Sequence, residues 1–225
     1  MAKKPSSAIR PAHRVINVDS DVRDGLRALR RNCKFIRQMH DIAGDPPLRR
    51  REAGFEGLAR IVISQQVSVA SANAIWNRFA AVINPMDART ILASSDVELR
   101  AVGLSRPKIR TLRAISDAVM QQSLALDGFD LMTEEAVRDA LTNISGIGPW
   151  TADIFLMFCL GRADSFAAGD LALQEAARMA FNLKTRPNAQ ELLEIAERWR
   201  PWRAVAARLL WAYYKEAKQR DGIAS

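Results

Sequence analysis

Histidine and cysteine are scarce in this chain, and their scarcity removes whole classes of chemistry. His13 and His40 stand alone, as do Cys33 and Cys159. A pair of cysteines cannot build a disulfide scaffold, and the ligands for a zinc finger or a four-cysteine iron–sulfur cluster are missing. His13 lies in a proline-flanked basic arm and His40 near a helix end, which are positions for surface residues rather than catalytic bases. No apolar run exceeds Ile154 to Leu160, far short of the roughly 20 residues that cross a bilayer. The basic start MAKKPSSAIRPAHRV has no apolar segment of the kind a secretory signal needs. The sequence therefore predicts no membrane partner and a protein of the cytoplasm, associated with the nucleoid, or of the nucleus in a eukaryote. Gly/Ser linkers and internal repeats are also missing, so a second domain has to be interleaved with the first rather than strung behind it.

What is present is a folded core and an excess of positive charge. The 225 residues are 48% hydrophobic and 26% charged, which is the composition of a packed globular protein. Lys and Arg exceed Asp and Glu by 33 to 25, and the pI is near 10.1. The surplus sits at the two ends: residues 1–60 carry 14 basic side chains against 7 acidic, and 181–225 carry 9 against 5, while 61–180 carry 10 against 13. Such a field draws polyanions and moves nucleic acid up the list of partners, although a solvated basic surface gives the same count.

The apolar periodicity is helical from end to end. Val22, Leu26, Leu29, Cys33, Ile36 and Met39 recur at spacings of three and four, which predicts one amphipathic helix from Asp21 to Met39, capped by Asp19 or Ser20. Phe55 to Ile83 continues the period, with SQQVS interrupting it. Ser95 with Glu98 and Asn188 with Glu191 read as capping boxes, and Pro107 leads a helix that buries Ile109, Leu112, Ile115 and Val119. Trp199 and Trp202 read as core. No stretch alternates like a strand. The predicted fold is all-α, with about nine to eleven helices.

The most informative segment is LTNISGIGPWTADIFLMFCLG, residues 141–161, which reads as a helix-hairpin-helix over about 141–160. Gly146 and Gly148 allow positive φ and clear away side chains, so that consecutive amides face outward at the start of the helix led by Pro149. Such a nest suits a phosphate. An ordinary αα-hairpin also uses glycine in its turn. Asp170, in Gly169-Asp170-Leu171, reads on local grounds as a helix cap.

In order along the chain, SQQVSVASA (64–72), GLSRPKIRTL (103–112), SGIGPWTADIFLM (145–157), DSFAAGDLALQ (164–174) and ERWRPWRAVAARLLWAYY (197–214) resemble the helix-hairpin-helix DNA glycosylases. Within them the resemblance is to the DNA-3-methyladenine glycosylase II type, in a compact form without the extra N-terminal β-domain. It implies two helical subdomains flanking a DNA-binding cleft: an outer one of residues 1–52 plus 171–225, and a central one of 53–170 ending in the hairpin.

The resemblance assigns roles residue by residue. Asp170 matches the essential carboxylate, which stabilises an oxocarbenium-like sugar as the N-glycosidic bond breaks. Trp150 stands where relatives that are also lyases carry a Schiff-base lysine, so the implied enzyme is monofunctional. Trp150 and Trp211 match aromatic walls of a pocket that stacks a flipped, electron-poor base; Asp153 and Ile154 fall where relatives vary. Gln66, with Gln65 beside it, matches the wedge inserted into the gap left by the extruded nucleotide. The amides of Gly146, Gly148 and Thr151 match phosphate contacts, and the backbone carbonyls of Thr142, Ile144 and Ile147 match those holding a monovalent cation, K+ or Na+. No cofactor is implied for catalysis. The implied partner is double-stranded DNA containing damaged bases, 3-methyladenine and 7-methylguanine above all, met by a monomer. Two alternatives stay open: a non-catalytic DNA-binding protein using the same hairpin, and a glycosylase of this fold specific for hypoxanthine or uracil.

Overall fold

The computed structural model describes residues 13–223, with side chains to residue 219; the basic arm of residues 1–12 lies outside the described residues. Twelve α-helices follow one another: α1 (Asp19–Asn32), α2 (Lys34–Ala43), α3 (Phe55–Ser64), α4 (Val69–Val82), α5 (Ala88–Ala93), α6 (Asp96–Ala101), α7 (Arg106–Met120), α8 (Glu134–Thr142), α9 (Pro149–Phe158), α10 (Leu171–Ala180), α11 (Ala189–Ala196) and α12 (Arg203–Ile223). Short 3-10 turns cover Leu126–Leu131 and Glu197–Trp199. Among the described residues the sole β pairing is an isolated bridge between Val15 and Arg162. None of these helices is long and apolar enough to cross a membrane.

The helix predicted from Asp21 to Met39 is two. Cys33 adopts an extended backbone (φ −138°, ψ 113°), ending α1 and starting α2. All six residues of the predicted stripe are buried nonetheless, because the break leaves Cys33 on the inward side. The two helices are laced at the break by Arg37 Nη1 donating to the Arg30 carbonyl at 2.6 Å. Neither Asp19 nor Ser20 caps α1. Asp21 reaches back instead, its Oδ2 accepting the amides of Asn17 and Val18 at 2.7 and 3.0 Å. The capping boxes at Ser95/Glu98 and Asn188/Glu191 form as the sequence predicts.

Packing sorts the helices around three of their number. α12 lies against α1, α2 and α10, while α9 lies against α8 and α3, and α7 joins α3, α5 and α6. α9 is buried from Thr151 to Phe158, as a helix apolar on all sides has to be. Trp199 is fully buried and Trp202 nearly so. Buried arginines stitch the segments between helices onto this core. Arg162 donates to the carbonyls of Phe129, Asp130 and Met132 at 2.8–3.0 Å. Arg208 on α12 donates to Leu48, Ala204 and Met157 carbonyls at 2.9–3.0 Å; burial lowers its pKa to about 9, which leaves it a cation at neutral pH. Residues 14–16 pair with 161–163 through Ile16 N to Gly161 O (2.7 Å) and Ala163 N to Arg14 O (3.0 Å). Residues 14–16 are thereby fastened to the loop that leads from α9 towards α10.

Candidate active site and nucleic-acid interface

α10 begins at Asp170, and the bland reading of that residue is correct as far as it goes. Its Oδ1 accepts the amides of Ala172 and Leu173, both at 3.0 Å, as an N-cap does. Two further donors converge on the same carboxylate. Trp211 Nε1 reaches Oδ1 at 3.1 Å and Trp150 Nε1 reaches Oδ2 at 2.9 Å. All four contacts are N–H donors, which suits an acceptor-only carboxylate, and Oδ2 has a single partner, so lone-pair capacity remains there. The side chain is half-buried and borders a cavity of about 530 Å3. The two tryptophans expected as aromatic walls do line this cavity. Their indole N–H groups also fix the carboxylate, a second task that no spacing in the sequence signals.

The wall is built from buried elements. α9 contributes Trp150, Ile154 and Phe158; α12 contributes Trp211 and Lys215; α3 and α4 add Arg60, Ser64, Val69, Ala72 and Asn73. Phe158 and Trp211 pack with ring centroids 5.7 Å apart. Asp153, next to Ile154 on α9, takes no part in the lining. It turns to α8 and pairs with Arg138 (Nη2 to Oδ1, 2.9 Å). Burial pushes its pKa up to about 6, against the pull of Arg138.

Arg49 and Arg51 also line the cavity, and the sequence reading missed both. The available signal was the run Arg49-Arg50-Arg51, whose alternating directions depend on contacts far away in the chain.

The hairpin turn joins α8 to α9. Gly146 has φ +87°, and a Cβ there would collide with the Thr111 hydroxyl on α7, so glycine is demanded by both backbone and packing. Gly148 differs from the expectation of positive φ. Its φ is −99°, open to any residue, and a Cβ on it would meet nothing within 4 Å. Nothing among the described residues requires glycine at 148. The room it leaves faces outward, beside the first turn of α9, whose N-terminus favours an anion. The amides of Gly146 and Gly148 find no acceptor among the described residues. Thr151 corrects the expectation of a third free amide: its N–H donates to Gly148 O at 3.0 Å, closing the helix's first turn, and the residue is buried.

The break between α3 and α4 lies beside this hairpin. Gln65 is half-buried and its Nε2 donates to Thr151 Oγ1 at 2.8 Å, tying the loop to α9. Gln66 is exposed and holds the left-handed region at φ +56°, a conformation uncommon outside glycine, asparagine and aspartate. Backbone strain of this kind persists where the surroundings impose it and concentrates at functional loops. Lys108, from the GLSRPKIRTL stretch, fixes the end of α3 by donating to the Ile63 carbonyl at 2.7 Å. Of the two glutamines expected as wedge, the structure leaves Gln66 projecting and occupies Gln65 with anchoring.

An outward-facing amide turn next to a strained projecting loop, above a carboxylate recessed in an aromatic cavity, is the arrangement of an enzyme that grips a backbone and works on one unit drawn out of it. Residues 59–201 match the family described as HhH-GPD superfamily base excision DNA repair protein. The DNA-3-methyladenine glycosylase 1 of Schizosaccharomyces pombe is 34% identical over 167 residues, covering 72% of this chain and 73% of that protein. The solved structure of the S. pombe 3-methyladenine DNA glycosylase in complex with abasic DNA superposes with a TM-score of 0.78 at 30% identity, over 84% of this chain and 95% of that one. A DNA-3-methyladenine glycosidase from Bacillus halodurans does so with a TM-score of 0.74 at 28% identity, over 92% and 94%. The chain belongs to the HhH-GPD superfamily of base excision DNA repair proteins.

Proposed function

We propose that the protein is a monofunctional DNA glycosylase of base excision repair, drawing an alkylated purine such as 3-methyladenine or 7-methylguanine out of duplex DNA and hydrolysing its N-glycosidic bond. The observation that carries this reading is Asp170, a carboxylate held by four N–H donors at the edge of a cavity walled by tryptophan. As the C1′–N bond breaks, positive charge grows on the sugar. A fixed carboxylate stabilises it without reorganising, an effect worth several kcal/mol of barrier. Oδ2, with one partner, is the oxygen left to face the sugar or an attacking water. A cationic alkylpurine leaves readily, so the site has no need of a strong general acid, and it has no histidine. A non-catalytic binder would gain nothing from burying a carboxylate beside polyanionic DNA.

In this reading the free amides of Gly146 and Gly148 hold a phosphate, the exposed Gln66 enters the gap left by the flipped nucleotide, and the protein works as a monomer. The turn also fits a monovalent cation. Thr142 ends α8, where helix carbonyls lack intrahelical partners, and Ile144 and Ile147 follow in the hairpin turn, the Ile144 carbonyl accepting the Ile147 amide at 3.0 Å with a lone pair left over. Neutral carbonyl oxygens without a carboxylate suit K+ or Na+ better than a divalent ion. Bound there, the cation would add positive charge beside the phosphate.

The test is to incubate the protein with duplexes bearing single damaged bases and identify the freed base. Free 3-methyladenine or 7-methylguanine is expected, with an abasic strand that breaks only in alkali and no adduct trapped by borohydride. A trapped adduct would refute the monofunctional assignment and point to Lys215, the amine that borders the cavity.

A further inference from the structure

The role of Asp170 leaves part of the cavity unexplained. Arg49, Arg51, Arg60 and Lys215 all line it, against one acid, Asp170. None of these four forms an ion pair with a carboxylate of the described residues. Asp170 is itself occupied by N–H donors. The lining is thus strongly cationic around an apolar centre, which is an odd environment for a base that arrives already positive.

The arginines are placed there by the fold. Segment 48–51 is fastened from behind by Arg208 Nε to Leu48 O (3.0 Å) and Arg51 N to Phe158 O (3.0 Å). Arg50 Nη1 turns inward to the carbonyls of Phe158 and Cys159 at 3.0 and 2.7 Å. Its neighbours Arg49 and Arg51 are left to the cavity, and Arg49 holds φ +52°. The Arg51 guanidinium lies over Phe158, 5.9 Å from the ring centroid. Phe158 packs on Trp211, and Trp211 is bonded to Asp170. Arg51 is therefore two aromatic rings removed from the carboxylate. Burial lowers its pKa, and the neighbouring charges of Arg60 and Arg49 lower it further, yet a guanidinium stays charged. A poorly hydrated charge acts more strongly on its surroundings than a solvated one.

We propose that Arg51, supported by Arg60 and Lys215, stabilises the electron density that moves onto the departing base, and that it thereby sets specificity towards damaged bases that enter neutral. The proposal rests on the glycosylase reading above. In the reaction the C1′–N bond breaks with both electrons going to the base nitrogen. Water oxygen bonds to C1′ and water gives up one proton: a base that entered neutral takes up one proton as it leaves, while a base that entered as a cation leaves neutral and the proton goes to solvent. A neutral base such as hypoxanthine moves from zero charge towards −1, so nearby cations favour its transition state over free enzyme and substrate. A cationic base such as 7-methylguanine moves from +1 towards zero and is repelled at every stage until it has left. Arg51 thus acts with opposite sign on the two classes. Half a unit charge at about 6 Å, in an effective dielectric of about 20, corresponds to about tenfold in rate for each class.

The experiment measures single-turnover excision at sub-saturating enzyme from duplexes carrying hypoxanthine or 7-methylguanine, with wild type, Arg51→Met, Arg51→Lys and Lys215→Met. The readout is the ratio of the two rates, which is independent of the folded fraction of a variant. Arg51→Met is expected to lower the hypoxanthine to 7-methylguanine ratio by tenfold or more. Arg51→Lys, which keeps the charge, should restore most of it, and Lys215→Met should lower it by a smaller factor. An unchanged ratio in Arg51→Met would overturn the proposal and leave these cations as phosphate contacts. Wild type that removes 7-methylguanine and leaves hypoxanthine untouched would overturn it too. Wild type that removes neither base, and does not release 3-methyladenine from alkylated duplex either, would overturn the glycosylase reading itself.

Discussion

Replacing Asp170 by asparagine separates the helix cap that this side chain forms from the catalytic role proposed for it. Asparagine keeps the shape and one oxygen. That oxygen is best placed where Oδ1 now lies, accepting from Ala172, Leu173 and Trp211, because the opposite flip would set an amide against three donors. The NH2 group then faces Trp150 Nε1, a donor against a donor where a 2.9 Å hydrogen bond had been. A lost hydrogen bond to a charged group costs about 1.5–3 kcal/mol, and a donor left without its acceptor costs about 1–3 kcal/mol. Asp170→Asn should lose stability of that order while α10 keeps its cap. Activity should fall further, by 10² or more (about 3 kcal/mol), because the charge that stabilises the sugar cation is gone. Trp150→Phe in the Asp170→Asn background removes the opposed donor. The double variant should recover stability relative to Asp170→Asn, with a coupling of about 1 kcal/mol or more between the two sites, and should recover no activity. Urea denaturation gives the first quantity and single-turnover release of 7-methylguanine the second. Near wild-type turnover in Asp170→Asn would refute the assignment of the catalytic carboxylate. Strictly additive stabilities would refute the geometry that links it to Trp150.

The two hairpin glycines should behave differently. Gly146→Ala, which forces a Cβ onto the Thr111 hydroxyl at φ +87°, should lose more than 1 kcal/mol of stability. Gly148→Asp should stay within about 0.5 kcal/mol of wild type yet weaken binding to all duplexes, damaged or not; binding as tight as wild type would make the hairpin a structural turn only. Binding by the intact protein should fall with salt by a slope of about −0.9 per neutralised phosphate, and a flat salt dependence would contradict a phosphate-led interface. Asp153 gives a pH test. Its folded pKa near 6 lies above the ordinary 3.8, so the native state holds a proton that the unfolded chain has lost, and the stability it contributes falls as pH rises from about 4 to about 6. Asp153→Asn does not titrate, so its stability relative to wild type should climb by about 1.4 kcal/mol per pH unit across that window and level off above it; parallel curves from pH 4 to 8 would refute this.

Periodicity carried the helical class, because burying one face of a helix imposes its spacing on the sequence. It failed at Cys33, where two short helices keep their apolar residues on the same side and so look like one. The caps of α6 and α11 were legible because Ser95/Glu98 and Asn188/Glu191 act within four residues. That of α1 was not, since Asp21 reaches backwards to Asn17 and Val18. Asp170 and the hairpin stood out by their resemblance to known sequences. What joins Asp170 to Trp150 and Trp211 did not, because those bonds span 20 and 41 residues. The directions of Arg49 and Arg51 were illegible for the same reason: they are set by Arg208, some 160 residues later.

The contributions of α12 also have an order in time. A ribosome that has reached Trp202 has already made the hairpin, the Gln66 loop and Asp170. It has not yet made Trp211, Lys215 or the Arg208 side chain that holds Leu48 and Met157 in place. A nascent or prematurely released chain therefore contains the hairpin and the Gln66 loop but has neither the second indole on its carboxylate nor the clamp behind its arginines. Asp170 is synthesised before the second indole that fixes it and before the clamp behind the arginines that line its cavity, and completion of α12 is the step that joins them.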